Sequence, residues 1–198
     1  MKKIGVITIV LVGALLSAVA QAGPILFTAS LSPEAPGATG SGSVSLAFDT
    51  TAHTLGISAE WSGLSGVTTV AHIHCCTAVP GTDTVGVAVT PGTLPGFPVG
   101  VSAGTYNVVI DLTALASYTA GFVANFGGGT VPGAEAALLA GLQSGRAYFN
   151  VHSSTFGVGE IRGFPAAVPE PMSLSLFALA LLSVALVQRK KAGLTVRI

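Results

Sequence analysis

The chain has 198 residues, half of them hydrophobic and only 8% charged, and its formal net charge at pH 7 is zero. All four lysines lie near the two ends, and residues 23–167 contain two arginines against seven acidic residues. A nucleic-acid-binding protein needs a basic patch that releases the counterions of phosphate groups, and this stretch has too few basic residues to form one. We therefore expect no nucleic-acid partner.

Residues 1–22 have the features of a secretory signal peptide. Lys2 and Lys3 precede an apolar run over residues 4–19, which ends in the small-residue triplet Ala20-Gln21-Ala22. The run is shorter than the roughly 20 residues that a membrane-spanning helix needs, and the triplet is typical of a cleavage site. We expect export and cleavage after the triplet.

Residues 23–167 consist of short runs of alternating apolar and polar residues separated by turn residues, which is typical of an all-β domain. In residues 43–49, Val44, Leu46 and Phe48 alternate with small or polar residues, which predicts a strand with one buried face. After a turn, residues 54–61 are expected to return as its hairpin partner. The other predicted strands are residues 25–31, 68–74, 85–89, 106–112, 146–152 and 160–164.

One short helix is expected among these strands, over residues 134–143. It follows Pro132-Gly133 and ends before Gly145. Residues 91–100 contain three prolines, which a central strand does not accommodate, and they are predicted to form a loop. The order of elements predicts a Greek-key β-sandwich with one short helical insertion, over residues 23–167.

The C-terminal segment, residues 168–198, combines a short motif, an apolar run and a basic cluster. Pro169-Glu170-Pro171 leads into an uncharged stretch, and the basic residues that follow are Arg189, Lys190 and Lys191. Only three serines interrupt the apolar residues, so we predict a single transmembrane helix over about residues 172–188. The positive-inside rule places the basic end in the cytoplasm and the upstream domain outside.

This order of motif, apolar helix and basic cluster resembles the PEP-CTERM sorting signal of Gram-negative bacteria. The resemblance covers residues 168–191. It implies that an exosortase, an integral membrane enzyme, is a partner that removes the tail during export. It also implies that the chain is anchored in the membrane before processing and then reaches the cell surface or the extracellular matrix.

Two of the four histidines and both cysteines lie in the stretch HIHCC, residues 72–76. In a strand, His72 and His74 project to one face, and a later strand likewise presents on one face Tyr148, Asn150 and His152. If the two strands pair, His72, His74 and His152 converge, and three imidazoles suit Zn or Cu. The alternative that stays open is a surface or hydrogen-bonded polar cluster without metal.

Cys75 and Cys76 are adjacent, and neighbouring residues do not reach ordinary disulfide geometry without a distorted peptide bond. In an oxidising compartment four states stay open: a vicinal disulfide, intermolecular bridges, metal ligands beside His74, or free thiols.

Glu160 and Arg162 are two residues apart and share a face of the last predicted strand. We interpret them as structural residues that pair with each other or with cross-strand neighbours such as Arg146 and Asp111. A catalytic Glu160 would need a second carboxylate or a nucleophile beside it, and the sequence indicates none, so we assign no catalytic residue.

The stretches VAHIHCC (residues 70–76) and AYFNVHSSTFGVGEIRGF (residues 147–164) carry a second resemblance. The early His-Ile-His, followed later by Tyr-x-Asn-Val-His and Gly-Glu-Ile-Arg-Gly, resembles the CHRD domain, which is named after the chordin family and also occurs in bacterial secreted proteins. The resemblance spans residues 26–164 and implies an immunoglobulin-like sandwich of undefined activity. Its motif residues here are Tyr148, Asn150, Glu160, Arg162 and Gly163.

We predict an exported, surface-sorted binding or structural module of the bacterial envelope or extracellular matrix, with a protein or a glycan as partner. The alternative is a Cu- or Zn-binding domain with redox activity similar to that of superoxide dismutase. Its ligands would be the three converging histidines, with Cys75 and Cys76 as weaker candidates.

Overall fold

The computed structural model describes residues 23–169, 180–185 and 188. The predicted signal peptide lies outside these residues, as do Glu170, Pro171, most of the predicted transmembrane helix and the basic cluster Arg189-Lys190-Lys191. Residues 180–185 are helical and exposed. No helix among the described residues has both the length and the apolar character that a membrane crossing requires.

Within residues 23–169 the chain forms mainly a curled antiparallel β-sheet of nine strands. Their order across the sheet is β5-β4-β7-β8-β1-β2-β3-β6, and β9 pairs with β1. Each of the eight predicted strands is present, and β9 was not predicted. The strands are β1 (Ile25–Pro33), β2 (Ser41–Asp49), β3 (Thr54–Ser62), β4 (Thr68–His74), β5 (Val87–Val89), β6 (Gly104–Asp111), β7 (Tyr148–Ser153), β8 (Ile161–Gly163) and β9 (Ala166–Ala167).

The β2–β3 hairpin forms as the sequence pattern predicts. The alternating residues Val44, Leu46 and Phe48 are buried, and the strands pair from end to end up to the turn. The Asp49 carboxylate accepts hydrogen bonds from the backbone N–H groups of Thr51 and Ala52, while His53 adopts the left-handed conformation that closes the turn.

Strand β1 joins the two halves of the sheet. Residues 25–31 pair with β2, whereas Ser32 and Pro33 pair with β8, so one strand belongs to both halves. Side chains from both halves then share a single buried core, whose largest fully buried members include Phe27, Phe48 and Phe149. The coarse prediction of an all-β fold is confirmed; the immunoglobulin-like sandwich stays a prediction.

Helical structure is more extensive than predicted. Helix α2 (Val131–Gln143) begins three residues earlier than expected, because Thr130 caps it by accepting a hydrogen bond from the Gly133 N–H. Helix α1 (Ala120–Asn125) was not predicted, and it is too short to show a helical pattern in the sequence. A short 3₁₀ helix, Leu115–Ser117, precedes it.

Helix α2 packs against the end of β4 through Gly141. A side-chain carbon at this position would overlap both sulfur atoms of the Cys75–Cys76 pair. The glycine therefore permits the close approach of helix and strand end.

We expect Gly141→Ala to lower the free energy of unfolding by about 1–3 kcal/mol, because the added methyl group overfills this contact. Gly121→Ala is the matched control. Gly121 lies in α1 with open space around it, so its substitution should leave stability unchanged or raise it by about 0.5–1 kcal/mol. Urea unfolding of both variants measures these changes, and equal effects would contradict this packing.

Candidate functional site

The candidate site lies on one face of the β4–β7 ladder. In this antiparallel pair His72 lies opposite Asn150, and His74 lies opposite Tyr148. His152 is two residues beyond Asn150 and projects to the same face. One nitrogen of each histidine lies within 4.8 Å of the corresponding nitrogens of the other two. The structure thus brings together His72, His74 and His152, called the histidine cluster below.

The opposite face of the ladder belongs to the hydrophobic core, where Ala71, Ile73, Phe149 and Val151 are fully buried. The histidine cluster faces away from this core, yet each of its side chains is only 8% exposed. Three loops cover the histidine cluster, and each supplies it with a hydrogen-bond partner. They are residues 75–86, 90–103 and 154–160.

Each histidine of the cluster makes a hydrogen bond to a backbone carbonyl oxygen. The distances are 2.7 Å from His72 Nε2 to Gly92 O, 2.7 Å from His74 Nδ1 to Val85 O, and 2.9 Å from His152 Nδ1 to Gly157 O. A carbonyl oxygen can only accept, so the ring nitrogen that faces it must carry the proton. In a neutral imidazole the other nitrogen then holds a lone pair.

The three remaining nitrogens are therefore His72 Nδ1, His74 Nε2 and His152 Nε2. His72 Nδ1 and His152 Nε2 are 3.1 Å apart. His74 Nε2 is buried, and within the described part of the chain it has no hydrogen-bond partner. Three lone pairs facing one another in a buried space repel each other unless a cation lies between them.

Burial keeps His72 and His74 neutral at neutral pH. Burial and, to a smaller extent, the neighbouring imidazoles together lower the pKa of His74 to about 4, although the Val85 carbonyl opposes them. Burial likewise lowers the pKa of His72, although the Gly92 carbonyl opposes it. Both rings are then available as lone-pair donors rather than as cations.

Asn150 connects the histidine cluster to a partly exposed ion pair. Its Nδ2 donates to Glu34 Oε1 at 3.1 Å, and its Oδ1 is buried with no hydrogen-bond partner in the described residues. Glu34 Oε2 in turn lies 3.5 Å from Arg162 Nε. The guanidinium sits 5.3 Å from the ring centre of Tyr148, which stacks on His74 with ring centres 4.5 Å apart. The polar residues of this face thus form one connected network.

Glu34 was missed by the sequence analysis. It lies just after β1, in a stretch without a motif or a regular pattern, and only the pairing of β1 with β8 brings it to Arg162. Burial raises the pKa of Glu34, while Asn150 and Arg162 lower it in part.

The predicted charge pairing of Glu160 is wrong. Arg162 pairs with Glu34 instead, and the Asp111 carboxylate accepts hydrogen bonds from Thr113. Glu160 is fully buried, and its carboxylate accepts a hydrogen bond from the Ser65 N–H. Its role is to anchor the segment between β3 and β4, which supports the structural interpretation over a catalytic one.

Gly163 is required by close strand packing. A side chain at this position of β8 would collide with the Ser30 carbonyl of β1 and with Ala29. The glycine of the motif Gly-Glu-Ile-Arg-Gly thus lets β8 lie against β1, where the two halves of the sheet meet.

Cys75 and Cys76 form a vicinal disulfide, one of the states that the sequence left open. Their sulfur atoms are bonded to each other and are not thiolates, so the prediction that they are weaker metal ligands is not supported. The disulfide instead packs on α2 at Gly141.

The histidine cluster does not by itself favour the redox alternative. A redox enzyme of the dismutase kind must let its substrate reach the metal ion. Here the three side chains lie beneath loops whose carbonyl groups hold them in place.

We expect Glu160→Gln to destabilise the fold in a pH-dependent manner. Burial raises the pKa of Glu160, but hydrogen bonds from Ser153, Ser65 and Thr39 outweigh it and hold the pKa below its usual value of 4.5. The ionised group therefore stabilises the folded state at neutral pH, and this contribution is lost as the pH falls below about 4.5. The variant should lose about 1 kcal/mol at pH 7 and progressively less in acid.

Urea unfolding at several pH values measures this difference. Glu60→Gln is the control, because Glu60 is exposed on β3 and its substitution should change stability by less than about 0.5 kcal/mol. A loss for Glu160→Gln that stays constant from pH 7 to pH 3 would contradict the assignment.

Comparison with known proteins gives one family. The sequence matches the CHRD domain over residues 27–164, which agrees with the predicted span and includes the histidine cluster, Asn150 and the Gly-Glu-Ile-Arg-Gly stretch. No curated protein and no solved structure matches the chain. The match covers well over half of the chain, and the protein therefore belongs to the CHRD family.

Proposed function

We propose that this protein is an exported binding or structural module of the bacterial envelope or extracellular matrix. The observation that carries the proposal is the pairing of the last strand of the domain with the first. Strand β9 pairs with β1, and the Val168 N–H donates to Leu26 O at 2.8 Å. Leu26 and Val168, near the two ends of the domain, therefore lie side by side.

This arrangement suits a domain that loses both terminal segments during export. Removal of residues 1–22 would leave β1 intact, and removal of the tail after Pro169 would leave β9 paired with β1. We propose the division that follows: signal peptide 1–22, domain 23–167, and sorting tail 168–198 with a membrane helix over about residues 172–188.

The tail would be handled as a PEP-CTERM signal in a Gram-negative bacterium. The helix would hold the chain in the membrane until an exosortase removes it, and the domain would then be found at the cell surface or in the matrix. The partner there would be a protein or a glycan. The acidic, lysine-free surface of residues 23–167 disfavours adsorption to anionic membrane lipids, which supports retention by a specific partner.

Replacing Pro169, Glu170 and Pro171 by alanine together should prevent removal of the tail, because the resemblance places the recognition motif there. Mass spectrometry of intact chains from cell fractions measures the outcome. The unaltered chain should be found at the surface or in the matrix without its tail. The triple variant should stay in the membrane fraction at its full mass.

Pro36→Ala is the control, since it alters an exposed proline of the domain and should leave processing unchanged. A surface form of the unaltered chain that still carries residues 172–198 would contradict processing. A processed chain that is entirely free in the medium would contradict the binding or structural role.

A further inference from the structure

We propose that the histidine cluster binds one Zn²⁺ or Cu²⁺ ion through His72 Nδ1, His74 Nε2 and His152 Nε2, with Asn150 Oδ1 as a neutral oxygen donor beside them. This site would tie the three covering loops to the β4–β7 ladder. The inference goes beyond the proposed function, because it requires neither export nor removal of the tail.

The first argument is the direction of the lone pairs. Histidines that bind metals in proteins almost always donate their other ring N–H to a carbonyl or a carboxylate, which fixes the tautomer and the orientation of the ring. All three histidines of the cluster have such a partner, and the three carbonyl groups come from three different loops. A polar cluster without metal does not require that all three free nitrogens point to one place.

The second argument is distance. Ligand nitrogens that bind a tetrahedral ion at about 2.0–2.1 Å lie roughly 3.3 Å from one another. His72 Nδ1 and His152 Nε2 are already 3.1 Å apart, and one nitrogen of each of the three rings lies within 4.8 Å of a nitrogen of the other two. A side-chain shift on the order of 1 Å therefore suffices to surround an ion.

The third argument is the presence of two buried polar atoms without partners. His74 Nε2 and Asn150 Oδ1 are buried and have no hydrogen-bond partner among the residues that the structure describes. Asn150 lies opposite His72 in the β4–β7 ladder, so the side chains of Asn150 and His74 are diagonal neighbours on the same face. Buried polar atoms in native proteins are almost always satisfied, and a cation would satisfy both of these atoms at once.

The donor atoms limit the kind of ion. Three imidazole nitrogens suit Zn²⁺ and Cu²⁺, whereas Ca²⁺ and Mg²⁺ prefer sites built from oxygen atoms. The four donors are neutral, so the charge of the ion must be balanced from further away. The Glu34 carboxylate, which accepts a hydrogen bond from Asn150 Nδ2, is placed to do so.

The test measures metal binding by the full chain, isolated in detergent without chelators and exposed separately to Zn²⁺ and Cu²⁺. We expect about one ion per chain by mass spectrometry and a rise in Tm with the ion concentration. His152→Gln and His74→Gln should each bind the ion at least ten- to a hundred-fold more weakly, because altering even the residues that hydrogen-bond to metal ligands has an effect of about that size.

The fourth histidine provides the control. His53 lies in the β2–β3 turn, half exposed and 2.9 Å from Glu135, away from the histidine cluster. His53→Asn suits the left-handed conformation of that position and should keep full binding and the full rise in Tm. Equal binding by unaltered chain, His152→Gln and His53→Asn would overturn the proposal, as would a folded chain that binds no ion.

A spectroscopic measurement on the unaltered chain keeps the test decisive if a variant fails to fold. Electron paramagnetic resonance of the Cu²⁺ complex should show hyperfine coupling to three imidazole nitrogens. A spectrum with oxygen ligands only would overturn the proposal.

Discussion

The backbone carbonyl groups of Val85, Gly92 and Gly157 determine the chemistry of the polar face of this domain. Each lies in a different loop and accepts a hydrogen bond from the protonated ring nitrogen of one histidine. Because each ring has only one other nitrogen, these three hydrogen bonds decide which atoms face the centre of the cluster. The candidate site thus depends on loop backbone as much as on the histidines themselves.

The rest of the fold holds these partners in place. The β4–β7 ladder sets the spacing of the histidines, and the opposite side of the ladder is anchored in the core. Strand β1 joins the two halves of the sheet and brings Glu34 to Arg162. The disulfide follows His74 directly in the chain, and it packs on α2 at Gly141. The site and the hydrophobic core therefore lie on opposite faces of the same strands.

Much of this architecture is readable in the sequence. The alternation of Val44, Leu46 and Phe48 predicts a half-buried strand, and the period of two in HIH predicts that both imidazoles share a face. His152 joins them only if strands β4 and β7 pair. Local patterns do not encode pairing, because it depends on contacts between residues about 80 positions apart in the chain.

Other features had no signal in the sequence. The carbonyl partners belong to loop backbone, which every residue type supplies equally. Glu34 stands outside any motif, and its pairing with Arg162 displaced the expected Glu160–Arg162 pair. Helix α1 is too short to show a period, and the state of the two cysteines depends on the path of the chain around them.

The most direct test of this account is the protonation state of the histidine rings. Long-range proton–nitrogen correlation NMR on chain labelled with ¹⁵N, freed of metal by a chelator and held at pH 8, distinguishes the two neutral tautomers from the cation. The account predicts a proton on Nε2 of His72 and on Nδ1 of His74 and His152, which leaves three lone pairs at the centre. A proton on His152 Nε2 shared with His72 Nδ1 would contradict it, because the cluster would then be a hydrogen-bonded pair rather than a set of converging donors.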